Sequence, residues 1–165
     1  MNTGQMMMTI GAMMLLSTIM LRVNTSNLTN ESIRDQAQYG VLATSIATSI
    51  VEEAQSKAFD AKTDSNSVTL LTELTPAILL GPEAGETSDS LFNDFDDYDG
   101  FTKRDSTMPS AIFDITCEVV YVAANNIQGS SLIQTWHKKL NISVTSPFSP
   151  DTFSTSTIYS YWFFR

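Results

Sequence analysis

The hydrophobic and polar positions divide the chain into an apolar beginning, a helical middle and an alternating end. From Met6 to Leu21 sixteen residues carry no charge, between Gln5 and Arg22. As a helix rising about 1.5 Å per residue, this run is roughly 24 Å long, slightly shorter than a hydrocarbon core of about 30 Å. The run therefore predicts a helix that lies in a membrane or in an equally apolar protein environment.

A second helical pattern follows a polar stretch. Residues 24–30 read NTSNLTN, and their Asn, Thr and Ser side chains compete for backbone hydrogen bonds, which predicts a soft or unwound helix there. From Glu31 onward apolar residues recur every three or four positions, which predicts an amphipathic helix over 30–60. The apolar positions are Ile33, Ala37, Val41, Leu42, Ile46, Ala47, Ile50, Val51, Ala54 and Ala58.

The last third of the chain has the period of strands. A Gly-, Pro- and Asp/Glu-rich loop is expected over 81–105, followed by an antiparallel sheet over 111–165. Its first strand alternates Phe113, Ile115, Cys117, Val119 and Tyr121 with polar residues. After a turn at 125–131, a second strand is expected from Ile133 to Val144, ending at Pro147, and a third over 152–165. We predict an α+β fold in which the sheet packs on the amphipathic helix.

The chain is thus expected to comprise an apolar helix over 1–26 and a globular domain over 27–165. A cleaved secretory signal is the competing interpretation of the first segment. No Lys or Arg precedes the apolar run, however, and no small-x-small cleavage site directly follows it. We therefore expect a retained helix that lies in a membrane or in an equally apolar environment.

Charge and composition exclude several function classes. The net charge is −9, from 18 acidic against 9 basic residues, whereas a nucleic-acid-binding face is basic, so no nucleic-acid partner is expected. The single cysteine, Cys117, cannot form an intramolecular disulfide, and its place in the alternation predicts a buried thiol. His137 is the only histidine, and no nucleophile or phosphate-loop motif accompanies it. We expect no enzymatic activity and no catalytic residues.

An acidic run is the clearest candidate binding feature. Four carboxylates lie within six residues and are followed by Gly100, an arrangement suited to a hard cation such as calcium. The predicted ligands are Asp94, Asp96, Asp97 and Asp99. The alternative is a solvated acidic loop, anchored by Phe92, Phe95 and Tyr98 and partly neutralised by Lys103 and Arg104.

Two further patterns have simple interpretations. Asn24, Asn27, Asn30 and Asn141 each begin an Asn-x-Ser/Thr triplet and are possible glycosylation sites. The first helix is rich in methionine, which predicts flexible apolar packing between identical helices. These methionines are Met6, Met7, Met8, Met13, Met14 and Met20.

The order of these elements resembles the type IV pilin-like proteins. Two motifs are similar to stretches of their MshD-like branch: FNDFDDYDG over 92–100 and WHKKLNISVTSP over 136–147. The resemblance matches Gly4 to the processing glycine of that family, although the family's basic leader residues are missing before it. The fifth position counted from Gln5, where the family has glutamate, is Thr9.

The resemblance implies a homo-oligomeric structural subunit. It implies insertion in the cytoplasmic membrane and then assembly into an extracellular filament on the cell surface. The apolar run gives a physical reason, because packing against other copies removes it from water and head-to-tail contacts that do not close build an open filament. The expected assembly core is Met6, Met7, Met8, Ile10, Met13, Met14, Leu15, Leu16, Ile19, Met20 and Leu21. The alternatives are a membrane-anchored minor pilin or secretion pseudopilin that presents a binding surface, and an anchored extracellular binding module.

Overall fold

One long α-helix, five strands and four short 3₁₀ helices make up the regular structure of the part of the chain described, residues 2–108 and 111–161 of a computed structural model. The 3₁₀ helices are Leu71–Glu73, Ala77–Leu79, Asp89–Leu91 and Asp96–Tyr98. The helix is α1 (Thr3–Ser56). The strands are β1 (Thr102–Met108), β2 (Ala111–Ala123), β3 (Asn126–Ser131), β4 (His137–Ser146) and β5 (Ser149–Ser160). The helix packs on an antiparallel sheet, which confirms the predicted α+β class.

Helix α1 is continuous through the stretch that was expected to unwind. The Thr25 hydroxyl donates to the Leu21 carbonyl at 2.9 Å, and the Thr29 hydroxyl donates to the Thr25 carbonyl at 2.9 Å. These hydroxyls share carbonyls that already accept helix bonds, so the helix is not interrupted. The expectation of an unwound segment over 24–30 was therefore wrong. The helix ends at Ser56, a little before the predicted end at 60.

The chain divides into two compact units within this helix. Residues up to Gln38 form the first unit, and residues from Tyr39 onward form the second. The first unit is helix throughout, from Thr3. The second contains the last turns of α1, the loops and the whole sheet.

Small residues on α1 let it approach the sheet closely in the second unit. Ala43, Ala47 and Ala54 are buried. Gly40 faces the Phe153 ring, and a Cβ at Gly40 would lie only 3.1 Å from that ring. The strand residues of this core are Phe113, Ile115, Cys117, Val119, Leu140, Ile142 and Val144. Their burial confirms the predicted alternation of β2.

The sheet has the strand order β1-β2-β4-β5, and β3 also pairs with β2. All the pairings are antiparallel. Strand β4 begins at His137, whereas Ile133 lies in the preceding loop and is 72% exposed, so the predicted start of this strand was wrong. Strand β5 covers Ser149–Ser160; residues 162–165, which the sequence also assigns to a strand, lie outside the described residues.

Two edge strands were not predicted. Strand β1 includes residues 102–105, which the sequence assigns to the acidic loop, and β3 lies in the expected turn at 125–131. Both sequences, TKRDSTM and NIQGSS, are almost entirely polar. Hydrophobic alternation is absent because most side chains of these two strands are exposed, and polar side chains at an edge disfavour pairing with other chains.

Candidate functional site

The first unit presents an uncovered apolar surface. Every residue from 2 to 38 is exposed. The predicted assembly-core residues have exposed fractions between 49% for Met6 and 80% for Met8, and they point to all sides of the helix. This helix is long and apolar enough to span a membrane, with a mean hydropathy of 1.7 over its most apolar window.

Two threonine side chains of this segment are hydrogen-bonded within the helix itself. The Thr9 hydroxyl donates to the Met6 carbonyl at 2.9 Å. The Thr18 hydroxyl donates to the Leu15 carbonyl at 2.8 Å and to the Met14 carbonyl at 3.1 Å. A hydroxyl bonded within its own helix needs no water, so these threonines are compatible with an apolar environment.

In the second unit the acidic run is held down by its own aromatic residues. Phe92, Phe95 and Tyr98 are buried in the main core, as the loop alternative predicted. The Phe95 amide donates to the Ala58 carbonyl at 2.9 Å, which ties the run to the residues that follow α1. Gly100 ends the run with a φ of +71°, a left-handed conformation that glycine adopts without strain.

Anchoring the run buries its carboxylates. Asp94 and Asp97 have no exposed area and Asp96 is 1% exposed, so the run is not a solvated loop. Lys103 and Arg104 do not neutralise it. The Lys103 ammonium lies 2.6 Å from Asp89, and the Arg104 guanidinium lies 3.0 Å from Asp114.

The cation that reaches the run is Lys138 of β4, which is fully buried. Its ammonium donates to Asp96 Oδ1 at 2.6 Å, to Asp60 Oδ2 at 2.8 Å and to the Phe59 carbonyl at 2.9 Å. Three acceptors thus use all three donors of the ammonium. The ammonium also lies 5.3 Å from the centre of the Tyr121 ring, within cation–π range.

Asp60 is the best-satisfied carboxylate of this network. Its oxygens accept hydrogen bonds from the Lys62 and Thr75 amides, from the Thr75 hydroxyl and from Lys138. Burial raises the pKa of Asp60, but the Lys138 charge and these hydrogen bonds outweigh it, so the pKa lies below its usual value.

A second group of carboxylates has no cation among the residues described. One oxygen each of Glu83, Asp94 and Asp97 lies within 4.8 Å of the others. Burial, together with the carboxyls of Asp96 and Asp97, raises the pKa of Asp94 to about 9. Partial desolvation and the neighbouring carboxyl of Glu86 raise the pKa of Glu83 to about 7. Burial also raises the pKa of Asp97, against the backbone amides that hydrogen-bond to it.

The structure therefore divides the four predicted calcium ligands. Asp94 and Asp97 lie in the carboxylate group with Glu83, whereas Asp96 pairs with Lys138. Asp99 is half-buried, and its Oδ1 accepts the Val119 amide of β2 at 2.8 Å.

Sequence reasoning missed Lys138, Asp60 and Glu83. Lys138 carried a usable signal, because it is in phase with Leu140 and Ile142 on the buried face of β4, and a lysine there needs a carboxylate partner. Asp60 and Glu83 gave no such signal in the sequence, because only the folding of two separate loops brings them to the acidic run.

The remaining candidates have ordinary surroundings. Cys117 is buried as expected, and burial raises the pKa of its thiol to about 12, so it is not a ready nucleophile. His137 Nδ1 lies 2.7 Å from the Ser160 hydroxyl. Asn24, Asn27 and Asn30 are exposed on α1, whereas the Asn141 amide donates to Glu118 on the neighbouring strand at 3.2 Å.

Comparisons with protein-family models, with curated proteins and with solved structures find no match to this chain.

Proposed function

We propose that this protein is a structural subunit of an extracellular type IV pilus-like filament, whose copies pack their N-terminal helices together. The observation that supports this most is the apolar surface of α1, on which Met13 is 69% and Leu21 67% exposed. A helix that is apolar on all sides belongs in lipid or in a protein core. Burying it contributes about 25 cal/mol for each Å² of apolar surface removed from water.

The same helix suits both environments that this function requires. From Thr3 to Leu21 it carries no charge, and at about 1.5 Å per residue this length is roughly 28 Å, close to a hydrocarbon core of about 30 Å. Before assembly the subunit would be inserted in the cytoplasmic membrane, with Arg22 near the membrane–water interface. Its methionines, which are flexible and polarisable, pack equally well against lipid chains and against neighbouring helices.

An open filament follows if each copy offers one part of its helix to the next copy and a different part to the previous one. Such head-to-tail contacts continue indefinitely unless the rotation closes a ring. The second unit, which contains the polar edge strands, would then form the outer surface.

A membrane-anchored minor pilin or secretion pseudopilin is the second candidate. It is favoured by Thr9, which stands where the pilin pattern has glutamate. The Thr9 hydroxyl is bonded to the Met6 carbonyl of its own helix and offers no charge to an incoming subunit. An accessory present in a few copies needs the helix as an anchor and needs no repeated docking.

A pair of matched substitutions tests the filament. Leu15→Asp places a charge on the apolar segment, where Leu15 is 66% exposed. Ile78→Asp places a charge on the second unit, where Ile78 is 85% exposed. Electron microscopy of the sheared cell-surface fraction should show filaments of the wild type and of Ile78→Asp but not of Leu15→Asp. The protein should also be the main component of that fraction.

The two candidates differ in abundance. Wild-type protein that is found only as a trace component of sheared filaments would overturn the major-subunit proposal and support the accessory. Filaments that form equally well from Leu15→Asp would contradict the role given to the helix.

A further inference from the structure

We propose that Glu83, Asp94 and Asp97 bind a hard divalent cation, with Ca²⁺ the best fit. The cation would fasten the loop that carries Glu83 to the acidic run. This inference does not depend on filament assembly, because all three residues belong to the second unit.

The distances match one ion. Ca²⁺–oxygen distances are about 2.3–2.6 Å, so two oxygens on opposite sides of the ion lie about 5 Å apart. One oxygen from each of the three carboxylates lies within 4.8 Å of the others. A single cation between them can therefore touch all three without moving the backbone.

The buried oxygens that remain free are an independent observation. Asp94 Oδ1 accepts the Asp96 and Asp97 amides, and Asp97 Oδ2 accepts the Asn93 and Asp94 amides. The other oxygens, Asp94 Oδ2 and Asp97 Oδ1, are buried and accept no hydrogen bond from any described residue. A buried carboxylate oxygen without a partner is costly, and a cation provides the missing partner.

The buried carboxylates also outnumber the buried cations that reach them, and a divalent cation would compensate the excess charge when the carboxylates are ionised. Asp60, Asp94, Asp96 and Asp97 are buried, and Lys138 is the one buried cation within reach of them in the described part of the chain. The Lys138 ammonium donates to Asp60, Asp96 and a carbonyl, so no donor is left for Asp94 or Asp97. A doubly charged ion compensates both.

The ligand chemistry favours calcium over other metals. The three side chains offer only oxygens, which excludes a preference for zinc or copper. Glu83 is exposed, which leaves room for water molecules to complete the six to eight ligands of Ca²⁺. Mg²⁺ demands a nearly ideal octahedron at shorter distances, which three unevenly buried carboxylates do not provide. Glu86 adds negative charge beside the site and orients the loop, since its Oε2 accepts the Glu83 amide at 2.9 Å.

The test is a calcium titration of the full chain in detergent micelles. Calorimetry measures binding, and thermal unfolding measures the change in stability. Metal is first removed with a chelator, and CaCl₂ is compared with MgCl₂ and with NaCl of equal ionic strength. Extracellular calcium sites have dissociation constants of about 10⁻⁴–10⁻³ M, so about 5 mM CaCl₂ should raise the unfolding temperature. MgCl₂ should raise it less, and NaCl should not reproduce the effect.

Three variants locate the ion. Glu83→Gln changes an exposed side chain, and it should weaken calcium binding about tenfold or more because one charged ligand is lost. Asp97→Asn keeps an acceptor for the Asn93 and Asp94 amides and should abolish the response to calcium. Asp99→Asn is the matched control: it neutralises a carboxylate of the same run that is bonded to Val119, and it should bind calcium as the wild type does.

Two results would overturn the site. One is a wild-type chain whose calorimetric trace and unfolding temperature are unchanged by CaCl₂ beyond the NaCl control. The other is calcium binding that survives in Glu83→Gln and Asp97→Asn but is lost in Asp99→Asn, which would move the ion away from these three residues.

Discussion

At the scale of single residues, Lys138 holds together three segments that are far apart in sequence. Replacing it by methionine, Lys138→Met, leaves Asp60 and Asp96 buried without their cation. We expect a loss of about 3–5 kcal/mol in the free energy of unfolding, since breaking a buried pair strands its partners. Lys62→Met, at an exposed lysine, should change it by less than about 0.5 kcal/mol. Denaturant unfolding followed by circular dichroism measures both.

Coupling between the partners separates this account from a simple loss of packing. Asp96→Asn should cost clearly less in the Lys138→Met background than in the wild type, because the interaction it removes is already gone. Equal costs in the two backgrounds would show that Lys138 and Asp96 do not stabilise each other.

At the scale of elements, the approach of α1 to the sheet depends on its alanines. Ala47→Leu adds volume at a residue that is 4% exposed, and overpacking of this kind costs about 1–3 kcal/mol. Ser45→Leu makes the same addition on the exposed side of the helix and should cost much less. Thermal unfolding of both variants measures the difference. Equal costs would mean that the helix does not pack on the sheet through Ala47.

The elements that could be predicted are those with one buried face. Strand β2 was evident from Phe113, Ile115 and Cys117, since each inward position is apolar. Strands β1 and β3 escaped prediction because most of their side chains are exposed, so burial does not require apolar residues at alternate positions. The sequence predicted an unwound helix over 24–30 because its residues have low helix propensity. Local propensity is weaker than the cooperativity of a long helix, so α1 continues through this stretch.

At the scale of the whole molecule, the grouped carboxylates set the response to pH. In the folded, metal-free chain the pKa of Asp94 is raised to about 9 and that of Glu83 to about 7. At a pH between the unfolded pKa near 4 and these raised values, the folded state therefore binds more protons than the unfolded state. Stability should therefore fall as pH rises from 5 to 8, by up to about 1.4 kcal/mol per pH unit for the proton of buried Asp94. Glu83 is exposed, so solvent screens its charge and its contribution to the slope is much smaller. The lowered pKa of Asp60 affects stability only below about pH 4.

Unfolding in denaturant at several pH values, with a chelator present, measures this slope. Asp94→Asn keeps the acceptor for the Asp96 and Asp97 amides and should flatten it. A stability that does not change from pH 5 to 8 would contradict the raised pKa of Asp94.

The candidate site could be predicted only in part, because it is made by the whole fold. The acidic run and its aromatic anchors are local in sequence, and Phe92, Phe95 and Tyr98 are buried as the alternative expected. The division of the run is not local. Lys138 lies on a strand that follows the run and forms an ion pair with Asp96. A separate loop brings Glu83 close to Asp94 and Asp97. No spacing rule connects these segments.

The polar edges of the sheet have a consequence when many copies are crowded together. Strand β1 carries Lys103, Arg104 and Asp105, and β5 carries Pro150 and Asp151 near its start. Mixed charges repel or mismatch between identical edges, and proline cannot donate a ladder bond. If copies assemble through their apolar helices as proposed, these edges would keep neighbouring sheets from pairing strand to strand, so close packing would not lead to amyloid-like growth.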